Sequence, residues 1–303
     1  MLKKVAISLG DINGVGIQLA LENHDIIATL CEPIYCIDEQ LLNKAAKQLN
    51  TPIPTDFNLF GKYNDTEINP GIVKEDSGLF SYNSFINAIS LAKSNKVDAI
   101  CTLPINKESW NKAGINYVGH TDMLRDIFKQ DAIMMLGYEK MYVALFTEHI
   151  ALKKVPKQIK TKKLITFLTD FYNAIGKPKE NIAVLGLNPH AGDNGVLGDE
   201  EKKINKAMKI VNTNLKSKFE LQVPDIAFTP HTREKYKYFV AMYHDQGLAP
   251  LKALYFEESI NISLNLPILR TSVDHGTAFD IAYKKENNLS NKSYINAIKA
   301  AVN

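Results

Sequence analysis

Cysteine is scarce in this chain: Cys31, Cys36 and Cys101 are the only three thiols among 303 residues. They are too few for a disulfide framework, and the single Cys-x4-Cys has no second pair to complete a zinc site, so they read as small buried hydrophobes. Long apolar runs are missing as well. MYVALF at 141–146 is among the longest, far short of the roughly 18–20 residues a membrane-spanning helix needs. Near the start, the run Val5 to Leu9 breaks at Gly10 and Asp11, which is shorter than the core of about 7–15 residues in a secretion signal. A cytoplasmic location is expected. Arginine is rare, with Arg125, Arg233 and Arg270 the only three among 36 basic residues. The net charge is +3, and the lysines are scattered without the interleaved aromatics of a nucleic-acid surface. Neither nucleic acid nor membrane is expected as a partner.

What is present is an alternation. Short runs rich in Val, Ile and aromatics, namely VAISL (5–9), VDAICTL (97–103), MYVALF (141–146), IAVLGL (182–187) and YFVAMY (238–243), read as buried strands. Between them 80–96, 161–177 and 200–218 carry apolar residues at a spacing near 3.6 and read as amphipathic helices. Strand and helix alternating over the whole length predicts an α/β fold, a mostly parallel sheet flanked by helices, and the length predicts two lobes.

In open α/β sheets ligands bind beyond the carboxyl ends of the strands. Here VAISL runs into the glycine-spaced turn GDINGVG at 10–16, MYVALF into Thr147-Glu148-His149, IAVLGL into Asn188-Pro189-His190, and YFVAMY into His244-Asp245-Gln246-Gly247. Three of the seven histidines therefore stand at or just past strand ends. Imidazole is a common ligand for divalent transition metals, and three from different strands leave open coordination positions for a substrate. Hydrogen-bonded loop histidines would give the same pattern. Asp225 in VPDIAF is either a carboxylate near that ion or a turn residue. Lys252, Asn261 and Arg270 offer an ammonium, an amide and a guanidinium fork suited to phosphate or carboxylate, with surface solvation, or a paired structural role for Arg270, as the plainer alternatives. In GHTDM, Thr121 or Asp122 is an expected helix N-cap, and His120 is placed to face an anion there. His24 and His231 read as surface residues, and Trp110 as core.

Taken together, LGDINGVG, AGINYVGHTDM, ALFTEHIAL, GLNPHAGDNG, AMYHDQGLAPLK and NISLNLPILRTSVDHGTAFDIA resemble the 4-hydroxythreonine-4-phosphate dehydrogenase family of vitamin B6 biosynthesis. The resemblance covers nearly the whole chain. It implies a two-lobed α/β/α fold like that of isocitrate and isopropylmalate dehydrogenases, with the active-site cleft between lobes. The first lobe, on the cofactor side, would comprise 1–116 plus 248–303; the second, with the metal ligands and dimer contacts, would comprise 117–247. It implies a homodimer with a shared active site and one divalent ion (zinc, cobalt, magnesium or manganese) on His149, His190 and His244, with Asp225 nearby. His120, Thr121, Lys252, Asn261 and Arg270 fall on the substrate-contacting positions.

DHGTAFDIA is similar to the cofactor loop of the related dehydrogenases, so Asp274, His275, Gly276, Thr277, Ala278 and Asp280 are expected at NAD or NADP. The implied reaction is oxidation of the C3 hydroxyl of 4-phosphooxy-L-threonine followed by decarboxylation to 3-amino-2-oxopropyl phosphate, with Lys252 or Asp245 relaying the proton. A sister activity on 4-phospho-D-threonate or 4-phospho-D-erythronate is the main alternative. A phosphate acyltransferase of related fold would not need the histidines, and a cleft-type binding protein would need export. Two departures stand out: Ile12-Asn13 replaces the family's common Pro-Ala, and Asn106 stands where histidine is common.

Overall fold

A computed structural model describes residues 1–63, 66–284 and 288–303. Among the described residues ten strands are formed: β1 (Lys4–Ser8), β2 (Glu32–Cys36), β3 (Ala99–Thr102), β4 (Ile133–Tyr138), β5 (Met141–Leu145), β6 (Ile182–Leu185), β7 (Phe219–Gln222), β8 (Tyr238–Ala241), β9 (Ile260–Leu264) and β10 (Leu269–Val273). The five expected strands are all present, each trimmed at the end where the chain turns toward its polar segment. The expected helices are Glu75–Lys93, Thr161–Ala174 and Glu200–Leu215. The apolar runs do not account for β2, β4, β7, β9 and β10. In β2 the strand carries Pro33, which is tolerated because β2 is an edge strand.

The chain divides into two compact units. The first comprises Met1–Gln130, Ile260–Ile262 and Leu266–Asn303; the second comprises Asp131–Ser259 and Ser263–Asn265. In the first unit the strand order β2-β1-β3-β10 is parallel throughout, with Arg270 of β10 beside Ile100 of β3. Helix Glu75–Lys93 and the last helix, Lys292–Val302, pack on these strands. Ala6, Cys36, Phe85, Ile89, Ile100, Trp110 and Met123 form its core. Full burial of each large side chain there stabilises the fold by roughly 1.5–3 kcal/mol. The one indole is satisfied, since Trp110 Nε1 donates to Ser81 Oγ at 2.7 Å.

In the second unit the order is β4-β5-β8-β6-β7, parallel except for the antiparallel pair β4 and β5. Helix His244–Tyr255 packs on β5 and β8 over a core of Val143, Leu145, Ala183, Leu185, Phe239 and Leu248. The fold is thus the expected α/β class, mixed in the second unit by the antiparallel pair β4 and β5. All three cysteines are buried. Among the described residues no helix is long and apolar enough to cross a membrane.

One surface expectation is corrected. His24 is buried, with Nδ1 3.0 Å from Tyr35 Oη and Nε2 3.0 Å from Asp56 Oδ1. The helix it begins lays it against the stacked rings of Tyr35 and Phe57, and two polar partners make an interior imidazole tolerable.

Candidate active site

Arg270 is the second residue of β10 and is 2% exposed. Its guanidinium donates to Thr102 Oγ1 through Nε at 3.1 Å and Nη2 at 2.6 Å, and Nη2 also lies 3.0 Å from His120 Nδ1. A guanidinium only donates, so His120 Nδ1 accepts and the imidazole carries its proton on Nε2. Burial, then the adjacent Arg270 charge, hold His120 well below its ordinary pKa, so the ring is neutral. Burial also lowers Arg270, to about 10, which leaves it cationic at neutral pH. Edge contacts with Phe85 (4.5 Å between centroids) and Trp110 (5.6 Å) fix the ring. The Nε2–H is buried and meets no acceptor among the described residues. Asn261 Oδ1 is likewise a buried acceptor with no donor there.

Thr121 is buried in the first turn of helix His120–Phe128. The N-cap of that helix is Gly119 rather than Thr121 or Asp122, and the Asp122 carboxylate instead reaches back to Val118 N at 3.2 Å. Thr102, central to this cluster, is a residue that sequence reasoning missed. Only its place at the end of VDAICTL marked it.

The turn at 10–16 and the loop at 274–280 join in the same unit. Val15 N donates to Thr277 O at 3.1 Å, and Tyr283 Oη donates to Ile12 O at 2.9 Å. Gly14 lies so close that a Cβ there would sit 2.8 Å from Thr277 O. Asp274 N is held by Ser293 Oγ at 3.0 Å, and His275 Nδ1 donates to Gly276 O at 3.0 Å. Gly276 and Asp280 are exposed and Thr277 and Ala278 half-buried.

Asp11, another residue not singled out, is buried, with its carboxylate accepting from Asn13 N and Ser77 Oγ. Burial raises its pKa. Asn13, the departure from the family's common alanine, accepts from Asn69 N at 2.7 Å and donates to Ile72 O at 2.8 Å, so it ties the turn to the 69–72 segment. Asn106, the other departure, caps helix Lys107–Lys112 by accepting from Ser109 N at 2.8 Å.

In the second unit β5 and β8 are neighbours in parallel register, with Leu145 beside Ala241. The segments that follow them therefore emerge side by side. His149 and His244 stand with ring centroids 5.3 Å apart. His244 Nδ1 donates to Asp245 Oδ1 at 2.7 Å, which leaves Nε2 as its lone-pair nitrogen. Two such imidazoles, one of them oriented by a carboxylate, could contribute to holding a metal ion. His190 and Asp225 do not join them. Among the described residues no group of three or more His, Cys, Asp or Glu side chains is placed to hold a metal within one chain.

His190 is exposed and begins a run of left-handed backbone, φ 51° at His190, 52° at Ala191, 78° at Gly192, 43° at Asp193 and 55° at Asn194. For non-glycine residues this costs roughly 1–2 kcal/mol each, so the surrounding structure must impose it. Asp225 is exposed in a turn after β7. Lys252 lies two helical turns beyond His244, about 12 Å along the axis, with its ammonium 5.5 Å from the Phe256 ring centroid.

The pyridoxal phosphate biosynthetic protein PdxA family matches residues 29–301. A 4-hydroxythreonine-4-phosphate dehydrogenase from Sulfurimonas denitrificans is 59% identical over 99% of this chain and 97% of its own length. Another, from Campylobacter fetus subsp. fetus, is 55% identical over 99% of this chain and 98% of its own length. The crystal structure of 4-hydroxythreonine-4-phosphate dehydrogenase from Klebsiella pneumoniae superposes with a TM-score of 0.85 at 31% identity, covering 100% of this chain and 98% of that one. The chain belongs to the PdxA family of pyridoxal phosphate biosynthesis, the oxidoreductase family of the 4-hydroxythreonine-4-phosphate dehydrogenases.

Proposed function

We propose that this chain oxidises 4-phosphooxy-L-threonine at its C3 hydroxyl with NAD or NADP and releases 3-amino-2-oxopropyl phosphate and CO2, working as a cytoplasmic homodimer. The observation that carries the substrate class is His120. Its buried Nε2–H meets no acceptor among the described residues, and a cationic Arg270 lies on its other nitrogen. A neutral imidazole donor beside a desolvated guanidinium suits an anionic oxygen, as a phosphate or carboxylate supplies. Thr121 and Asn261 complete the substrate contacts.

The C3 carbon gives up a hydride and its hydroxyl a proton. The bond from C2 to the carboxylate then breaks with loss of CO2, its electron pair passes toward the new carbonyl, and C2 takes up a proton to give the amino-ketone. His149, His244 and His190 would hold a divalent ion, which would supply positive charge to offset the negative charge that develops on the oxygen. A single chain brings two of those imidazoles together, and we place the completion of the set in the dimer. Asp245, engaged with His244 Nδ1, orients that ring, which favours Lys252 over Asp245 as proton acceptor. The joined 10–16 turn and Asp274 to Asp280 loop support the nicotinamide nucleotide.

The test is reduced-nucleotide formation by purified, cobalt-supplemented protein offered 4-phosphooxy-L-threonine, 4-phospho-D-threonate and 4-phospho-D-erythronate in parallel, each with NAD and with NADP. Turnover of the amino acid alone is expected. Turnover of a sugar acid alone would move the assignment to the sister activity.

A further inference from the structure

In the second unit the segments that carry His149, His190 and His244 are tied to one another by side chains that the reaction itself does not use. Thr147, two residues before His149, donates from Oγ1 to Met242 O at 2.7 Å, two residues before His244. Gln246, two residues after His244, accepts from Met242 N at 2.7 Å and donates through Nε2 to Gly186 O at 2.6 Å. Gly186 opens the segment that leads to His190.

There Glu201 continues the chain of bonds. It is 5% exposed, and its Oε1 accepts from Leu187 N and Asn188 N at 2.8 Å each, while Oε2 accepts from Asn188 Nδ2 at 3.0 Å. The left-handed turn follows at once, and its middle residue rests on the same carboxylate. A Cβ at Gly192, where φ is 78°, would lie 2.6 Å from Glu201 Oε2. A strained turn persists only where its surroundings over-determine it, and Glu201 provides that constraint from a helix rather than from the turn itself.

We propose that Thr147, Gln246 and Glu201 are positioning residues, a hydrogen-bonded brace that fixes the main chain of the three histidine-bearing segments within each protomer and so sets the affinity of the dimer for a divalent cation. This rests on the metal reading above. The brace is continuous from the end of β5 through β8 to β6, and each link ends on a backbone group, so it fixes main chain and not merely side chains. Groups that orient a ligand without touching the ion typically change metal affinity by about 10–100-fold when removed.

Cobalt(II) is the probe, titrated into the purified full-length chain and followed by its visible absorption, with backbone amide exchange measured at Leu187 and Asn188. Glu201→Gln places an amide NH2 against the Asn188 donor, and Gln246→Leu removes both arms of its bridge. Each is expected to weaken cobalt binding by about 10-fold or more and to shift the cobalt spectrum, and Glu201→Gln also to speed exchange at both amides. Asn188→Ala, which deletes only a side-chain donor, is carried in parallel because Glu201 is buried, and a smaller loss of the same sign is expected. His190→Ala is the control. If it loses cobalt while Glu201→Gln and Gln246→Leu keep wild-type affinity and spectrum, the brace is overturned and the metal reading stands. If His190→Ala binds cobalt like the wild type, the metal reading falls, and the proposed role of the brace falls with it.

Discussion

Arg270 Nη2 donates to His120 Nδ1 at 3.0 Å, and both side chains are buried. That contact fixes the tautomer of the histidine, because the arginine has nothing to accept with, while burial first and the adjacent Arg270 charge second keep the histidine neutral.

A pH dependence follows. The folded chain keeps His120 neutral well below the ordinary 6.5, whereas the unfolded chain takes up its proton there. Below that pH the unfolded state holds the extra proton, so this group's contribution is fully present above pH 6.5 and is lost as pH falls, with a limiting slope of ~1.4 kcal/mol per pH unit. Denaturant unfolding between neutral pH and mild acid should show the decline, and His120→Asn should flatten it. An unchanged slope in the variant would remove His120 as the source.

Asp245→Asn keeps an oxygen able to accept from His244 Nδ1 but withdraws the negative charge. Cobalt affinity should fall by about 10-fold with the fold intact, because Asp245 is exposed. A titration curve identical to wild type would make the 2.7 Å contact incidental.

Lys252→Ala should depress kcat by about 100-fold or more, the usual contribution of a positioned proton acceptor, while cobalt stays bound. Steady-state rates with a parallel cobalt titration decide it, and full turnover would strike Lys252 from the proton relay.

Asn13→Ala restores the residue common in the family and severs two side-chain bonds to the 69–72 segment. A loss of about 1–2 kcal/mol in unfolding free energy is expected, together with a raised KM for the nucleotide and little change in that for the substrate. Equal shifts in both KM values would mean that Asn13 does not act through the cofactor loop.

The part of this legible in sequence is the part governed by strand ends. Parallel neighbours deliver their carboxyl ends together, which is why His149 and His244, 95 positions apart in the chain, were foreseeable as neighbours. Arg270 announced itself as a lone arginine in an apolar run. Thr102, Glu201 and Gln246 did not, because threonine, glutamate and glutamine are ordinary on surfaces and their roles arise from burial and from backbone partners that only the fold brings near. His190 was legible as a strand-end histidine but not as the start of a left-handed turn, since His, Asp and Asn favour that backbone only as single residues and nothing in the sequence marks five in succession. His24 was misread for the converse reason: polar neighbours in sequence do not reveal the aromatic pair that covers it.

Trp110 is the chain's single tryptophan, and its ring centroid lies 5.6 Å from that of His120. All indole fluorescence therefore originates beside the imidazole whose Nε2–H meets no acceptor among the described residues. Emission read during a simple titration reports the surroundings of His120 alone, so the proposed binding of a phosphorylated acid there can be tested without a label and without turnover.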